Sequence, residues 1–437
     1  MKLVINIYRR IRDILLTLLG IIAYYFFHST FIKKTKSDIE NYQFKKIKKL
    51  LIYVSKHVPY YRSLFKDIGF IPKKDFKSLI DLEKIPILKK ETVRNNRNSF
   101  KSEKNFFYLK FKTSGSSGAP FEALVSYGHW IVEQAVIWRQ WKSFNYKFRD
   151  KIGILRSFAP SKGEPIIKID KIRNFIYYSP YHLSEDNMRK YHKDMESRNI
   201  KFLRGYPSSI KIFADFCKRN KLSLKNLKGI LLASEQLTIE DKSFIGGVFE
   251  APIINHYGLA ECIIMFGTIF EDNVLYNYED YGYLEVVKNS SNKYEAIGTN
   301  LNNYAMPLIR FNTGDIVSIK KNNFKSKKTI PFRPIKEIHG RSSDRILTNN
   351  KEIPVTNLYT KLSKCLDIKK FQIIQHKNLD LIFIVLCDKK NEQKIKTFLI
   401  KELFIFEEEK IKYTIKFSSN FKRSGEGKIP TYMRVNG

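Results

Sequence analysis

The chain has 437 residues, 79 of them lysine or arginine against 43 aspartate or glutamate, for a formal net charge of +36. With 43% hydrophobic and 28% charged residues it is not a disordered polyelectrolyte, and its length exceeds one ordinary core, pointing to two domains or a large domain with a small appendix. The basic excess suits nucleic acid or an anionic membrane, but the lysines are spread along a chain also rich in Ile, Asn, Tyr and Phe. There is no zinc-finger or RNA-recognition pattern, so direct nucleic-acid binding is not expected. Cys217, Cys262, Cys365 and Cys387 form no C-x-x-C pair. That argues against a disulfide framework or a cysteine-rich zinc site and fits a reducing cytoplasm.

In chain order, Arg9, Arg10 and Arg12 precede an apolar run over 14–27, and Lys33, Lys34 and Lys36 follow it. The run falls short of the roughly 20 residues that span a bilayer, and no small-residue cleavage site follows, so a secretory signal is not expected. Two readings stay open: a helix lying in a membrane interface, or one packed on the protein's own surface. Ile47, Leu50, Leu51, Val54 and Val58 recur at helical spacing, predicting an amphipathic helix over 42–56 that ends near Pro59. A Gly/Ser stretch follows, then a Trp-rich helix over 128–144 and a strand over 152–158. Trp130, Trp138, Trp141 and Phe144 could line an apolar pocket or simply fill the core.

The clearest architecture lies between 201 and 257. Phe202 and Leu203 open a strand, and Pro207 starts a helix with Ile210, Phe213, Ala214 and Cys217 on one face. A strand over 229–234 comes next, then a helix with Thr238 and Asp241 as a capping box, then a strand over 252–256. Strand–helix–strand–helix–strand with short links predicts a parallel sheet, with ligands beyond the C-terminal strand ends. Beyond Tyr276 the pattern turns to strands over 283–287, 294–301 and 308–319, with a basic loop over 320–328. From Phe371 a small α+β unit is expected: strand, turn, strand over 381–387, helix, and strand over 411–417. The boundaries drawn are 1–40 for the basic apolar segment, 41–340 for a large domain and 341–437 for a small one.

Five motifs carry chemistry. Thr113, Ser114, Gly115, Ser116, Ser117 and Gly118 form a Gly/hydroxyl loop able to turn N–H and O–H donors toward an oligophosphate, without the Gly-Lys-Ser/Thr of a Walker loop. Tyr257-Gly-Leu-Ala-Glu261 sets an aromatic ring and a carboxylate past a parallel strand. Pro307-Leu-Ile-Arg-Phe-Asn-Thr-Gly-Asp315 ends in an aspartate at a Gly turn. Gly340-Arg-Ser-Ser-Asp344 sits at the domain junction, and Gly425-Glu-Gly-Lys428 places a lysine between glycines and Pro430.

In this order the five resemble the signature of the adenylate-forming superfamily of acyl-CoA ligases, in its phenylacetate–CoA ligase branch with capsular-polysaccharide (CapK-type) relatives. His57-Val-Pro-Tyr-Tyr-Arg62, Ile85-Pro-Ile-Leu-Lys89 and Gly205-Tyr-Pro-Ser-Ser209 look like inner motifs of that branch. The resemblance implies an acyl-CoA synthetase-like α/β fold: a large N-terminal domain of parallel sheets plus a β-subdomain, and a small mobile α+β C-terminal domain. It also implies that residues 113–118 hold ATP phosphates, that Ser234, Glu235 and Gln236 border the adenine with Tyr257 against its face and Gly258 beside it, and that Glu261 ligates Mg²⁺. Asp315 would bind the ribose with Arg341 nearby. Lys428 would be the catalytic ammonium, brought in by closure of the small domain. The implied reaction is ATP-dependent activation of a carboxylic acid, then acyl transfer to coenzyme A, a carrier thiol or an amino sugar, in the cytoplasm or on the inner membrane face. Two departures stand out. Ala260 replaces the family's Thr or Ser, at a cost of roughly 1 kcal/mol for one neutral hydrogen bond. The zinc-binding cysteines of some relatives are missing, so no structural metal is expected. The competing class is a basic membrane- or nucleic-acid-binding protein on a non-catalytic adenylating scaffold. A glycosyltransferase is disfavoured because no Asp-x-Asp metal motif is present.

Overall fold

The computed structural model describes residues 2–112, 122–161, 163–235, 237, 239–269, 274–289, 293–319, 332–341, 345–350, 352–355, 358, 362, 365, 367–423 and 429–435. The expectations placed on 113–118, Gln236, Thr238, 320–328, Asp344 and Lys428 lie outside the described residues. The chain divides into two compact units. One comprises Met1–Thr113, Phe121–Lys147 and Ile254–Ile338; the other comprises Ser114–Pro120, Phe148–Ile253 and His339–Gly437.

In the first unit the N-terminal helix Lys2–Ala23 runs into a π turn, Tyr24–His28, and then into helix Lys36–His57. That second helix starts earlier than the apolar period indicates. Thr35 caps it, with its side chain accepting from Asp38 N while the Asp38 carboxylate accepts from Thr35 N, so polar capping outreaches the apolar face. Ile47, Leu50, Leu51 and Val54 are fully buried. Pro59 both ends this helix and opens the next, Pro59–Asp67. Residues 1–40, expected as a separate segment, belong to this unit: the first helix packs along helix Tyr127–Lys142.

Seven strands of the first unit lie in the order Gly282–Lys288, Tyr294–Asn300, Phe311–Ile319, Pro334–Arg341, Leu275–Asn277, Met265–Thr268 and Ile253–Gly258. The expected strand over 308–319 begins only at Phe311, because Arg310 adopts φ +50°. A hairpin of Tyr108–Lys112 on Glu122–Ser126, which periodicity did not reveal, brackets the Gly/Ser loop.

The second unit's sheet has the order Gly229–Ala233, Phe202–Gly205, Ile152–Leu155, Phe175–Tyr178, Ile167–Asp170. Its first four strands are parallel and the last is antiparallel. The strand expected over 152–158 stops at Leu155, because Ser157 turns to φ +55°. Helix Pro207–Arg219 starts on its proline and buries Ile210, Phe213, Ala214 and Cys217 as its spacing predicts. In the C-terminal segment, helix Glu392–Glu408 sets Ile395, Leu399, Leu403 and Phe406 into a common core with the sheet Tyr413–Phe417, Leu381–Leu386, Lys370–Gln375, Tyr432–Arg434. This segment groups with 148–253, a division different from the 41–340 and 341–437 drawn from sequence. Polar ties join the two parts of this unit: Lys211 bridges Asp241 and the Lys369 carbonyl, and Lys369 Nζ lies 3.3 Å from Asp215.

Candidate active site

Strand Ile253–Gly258 carries Tyr257 and Gly258 within its last turn of backbone pairing rather than beyond it. The Tyr257 ring stacks on Phe266, centroids 4.7 Å apart and planes at 15°, so only its other face is left for a ligand ring. Its hydroxyl donates to Asp315 Oδ2 at 2.5 Å. Burial first, and then the Asp315 carboxylate, holds the phenol well above its ordinary pKa. It therefore stays a donor throughout the neutral range.

Asp315 does not follow a strand-end turn as its sequence suggests. It lies inside strand Phe311–Ile319, at a break in register: Ile297 faces Asn312, but Glu295 faces Ile316. Gly314, at φ +75°, supplies the left-handed residue such a bulge needs. Thr313 Oγ1 donates to the Ala296 carbonyl at 2.8 Å and accepts from Asp315 N at 3.1 Å. These bonds fix a carboxylate that is only 6% exposed.

Glu261, 4% exposed, follows strand Ile253–Gly258 and is paired with Lys90 Nζ at 2.7 Å. The pairing sets a carboxylate oxygen, the donor type that Mg²⁺ takes, in a buried place. Lys90 was missed in the sequence reading although it directly follows the motif Ile85-Pro-Ile-Leu-Lys89. That adjacency was the available signal. Tyr257, Gly258, Glu261 and Asp315 are thus brought together within one unit.

In the second unit Ser234 adopts φ +73°, and its hydroxyl accepts from Arg156 at 3.3 Å. Glu235 accepts from Ser208 N at 3.0 Å, from Ser208 Oγ at 3.1 Å and from Ile429 N at 3.0 Å. One carboxylate therefore caps helix Pro207–Arg219 and holds the residue next in sequence to Lys428. Glu235→Ala is expected to lower stability by about 1–2 kcal/mol, read as a shifted urea midpoint. An unchanged midpoint would mean these bonds carry no net stability. Arg341 ends strand Pro334–Arg341.

A buried polar group lies against the Glu261 segment. His129 and Glu133, one turn apart on helix Tyr127–Lys142, bring ligand-type atoms within 4.8 Å of each other and of Cys262 Sγ. Tyr281 O–H donates to Glu133 at 2.7 Å and lies 3.1 Å from His129 Nε2. Burial lowers His129 to about 4, raises Glu133, and together with Glu133 raises the Cys262 thiol well above its usual value. The group is therefore uncharged at His129 and Cys262 near neutral pH, with its protons shared by hydrogen bonding. The tryptophans divide: Trp138 and Trp141 both meet Tyr146 edge-on, and Trp138 and Phe144 are buried as packing residues, while Trp130 leans on Phe111.

No protein-family model matches the chain. Protein CapK of Staphylococcus aureus is 24% identical over 417 residues, 90% of this chain and 87% of CapK. Among solved structures, 2-hydroxyisobutyryl-CoA ligase in the postadenylation state with 2-HIB-AMP superposes with a TM-score of 0.66 at 16% identity, covering 92% of this chain and 90% of that one. An open conformation of the same ligase with 2-HIB-AMP and CoA gives 0.57 at 15% identity, covering 92% of each chain. The chain is thus similar in sequence to CapK and shares the fold of 2-hydroxyisobutyryl-CoA ligase.

Proposed function

We propose that the chain activates a carboxylic acid with ATP and passes the acyl group to an acceptor. A carboxylate oxygen attacks the α-phosphorus, the bond from that phosphorus to the β-phosphate bridging oxygen breaks, and pyrophosphate leaves with the electron pair. The acceptor then displaces AMP from the acyl carbon. The observation that carries this reading is the Tyr257–Asp315 hydrogen bond, set beside the Glu261–Lys90 pair. It sets an aromatic ring against a carboxylate, beside a buried carboxylate oxygen, which supports a base on the ring, ribose hydroxyls on Asp315 and a metal at Glu261.

In this reading Thr113, Ser114, Gly115, Ser116, Ser117 and Gly118 hold the phosphates, Ser234, Glu235 and Gln236 border the adenine, and Arg341 lies by the ribose. Glu261 would hold Mg²⁺, which when bound offsets phosphate charge. Lys428 offsets the repulsion between the two reacting anions. Coenzyme A is the default acceptor, supported by the structural likeness to a CoA ligase. The CapK relationship supports work in cell-surface polysaccharide assembly, where a carrier thiol or amino sugar would serve instead. The site of action is the cytoplasm or the inner membrane face.

Pyrophosphate exchange into ATP, run with aryl, fatty and amino acids, is expected to respond to one of these classes. Acceptor choice then follows from which of CoA, a carrier thiol or an amino sugar consumes the adenylate. Exchange with no acid in the panel would overturn the reading.

A further inference from the structure

The N-terminal helix carries an apolar stripe that its own fold does not use. Ile11, Leu15, Leu18, Leu19, Ile22 and Phe26 are 41–74% exposed. Their spacing of four, three, one, three and four residues puts them on one helical face. The opposite face is fixed. Leu16 is 4% exposed, and a Cβ on Gly20 would fall 2.3 Å from Gln134 Cβ, so the two helices touch backbone to side chain there. At the end of the π turn, buried His28 places Nδ1 2.6 Å from Asp280 Oδ2. Asp280 in turn receives Arg139 at 2.7 and 3.0 Å. The helix is therefore held with its stripe outward.

A contiguous apolar surface of this kind on a folded chain marks an interaction site. Its occupant is indicated by charge. Exposed Lys33, Lys34 and Lys36 follow the stripe, Arg9 and Arg10 precede it in sequence, and the whole chain carries +36. A second copy would bring like charge against like, whereas anionic headgroups attract it. The segment Ile11–Lys33 is long and apolar enough to cross a bilayer by length and composition. Crossing with lipid on every side would give up both the Gly20 contact and the His28–Asp280 pair. We infer that this helix lies in the plane of an anionic bilayer, with the stripe at the acyl boundary and the lysines at the phosphates. The inference is independent of the adenylation reading, because binding to vesicles needs neither acid nor nucleotide.

The test is flotation of the full chain with vesicles of phosphatidylglycerol and phosphatidylcholine, or of phosphatidylcholine alone. The chain should float with the mixed vesicles, much less with the neutral ones, and less at high salt. The triple variant Leu15→Ser, Leu19→Ser, Phe26→Ser should bind mixed vesicles at least about tenfold more weakly with an unchanged melting curve. Lys33→Gln, Lys34→Gln, Lys36→Gln should lose the preference for anionic vesicles while leaving the stripe intact. Three results would overturn the inference: no flotation of the parent chain; serine-variant binding as strong as the parent's; or a parent dimer that the serine variant converts to monomer without any vesicle binding. A fourth, bound chain that resists alkaline carbonate, would show a spanning helix and also overturn it.

Discussion

Lys428→Ala is expected to slow pyrophosphate exchange by about 100-fold or more, the usual cost of removing a charged group aimed at the reacting phosphoryl. Carboxylate and triphosphate are both anions, so the barrier to their approach is electrostatic, and an ammonium is worth most where water is excluded. A contact in the proposed role strengthens as charge develops in the transition state, so the loss should fall on kcat, with the KM for ATP moving little. Ile429, the next residue, is 4% exposed, and its backbone N–H donates to Glu235 Oε1. Lys428→Arg, which keeps the charge but alters its reach, should recover part of the rate. Exchange that persists unchanged in Lys428→Ala would remove this lysine from the mechanism.

Asp280→Asn is expected to cost about 3–5 kcal/mol of stability. Arg139 is 1% exposed, with its guanidinium 4.8 Å from the centroids of both Tyr278 and Phe332. Neutralising its partner leaves a buried cation between two rings with no counter-charge. Burial raises the Asp280 carboxyl, but the Arg139 charge and the His28 hydrogen bond outweigh it and hold the group well below the usual carboxylate range. A depressed folded pKa means the stabilisation is fully present above the unfolded value of about 3.9 and is lost as pH falls below it. The parent should therefore lose stability in acid more steeply than Asp280→Asn. Guanidinium melts at pH 7 and pH 3 measure both effects, and a variant within about 1 kcal/mol of the parent at pH 7 would show that the pair is not structural.

The alternation of strands and helices between 201 and 257 was legible because each element's period is local and Pro207 marks a helix start. The hairpin around the Gly/Ser loop was not, since five-residue strands offer too little period to separate from loop. The bulge at Gly314 was equally hidden: a Thr-Gly-Asp run reads as a turn, and only the neighbouring strand's register shows that pairing resumes beyond it. Lys90 is marked in the sequence only by following Ile85-Pro-Ile-Leu-Lys89, and folding alone sets it against Glu261.

By itself the sequence determined the ordered set of motifs, the helical faces and the presence of a basic-flanked apolar helix, because these depend on residue type and short-range spacing. Tertiary structure alone decided which face of that helix is buried. His28, Arg139 and Asp280 meet across separations of 252 and 141 residues. Burying the Arg139 and Asp280 charges is tolerable only when both arrive together, a condition that no local pattern encodes.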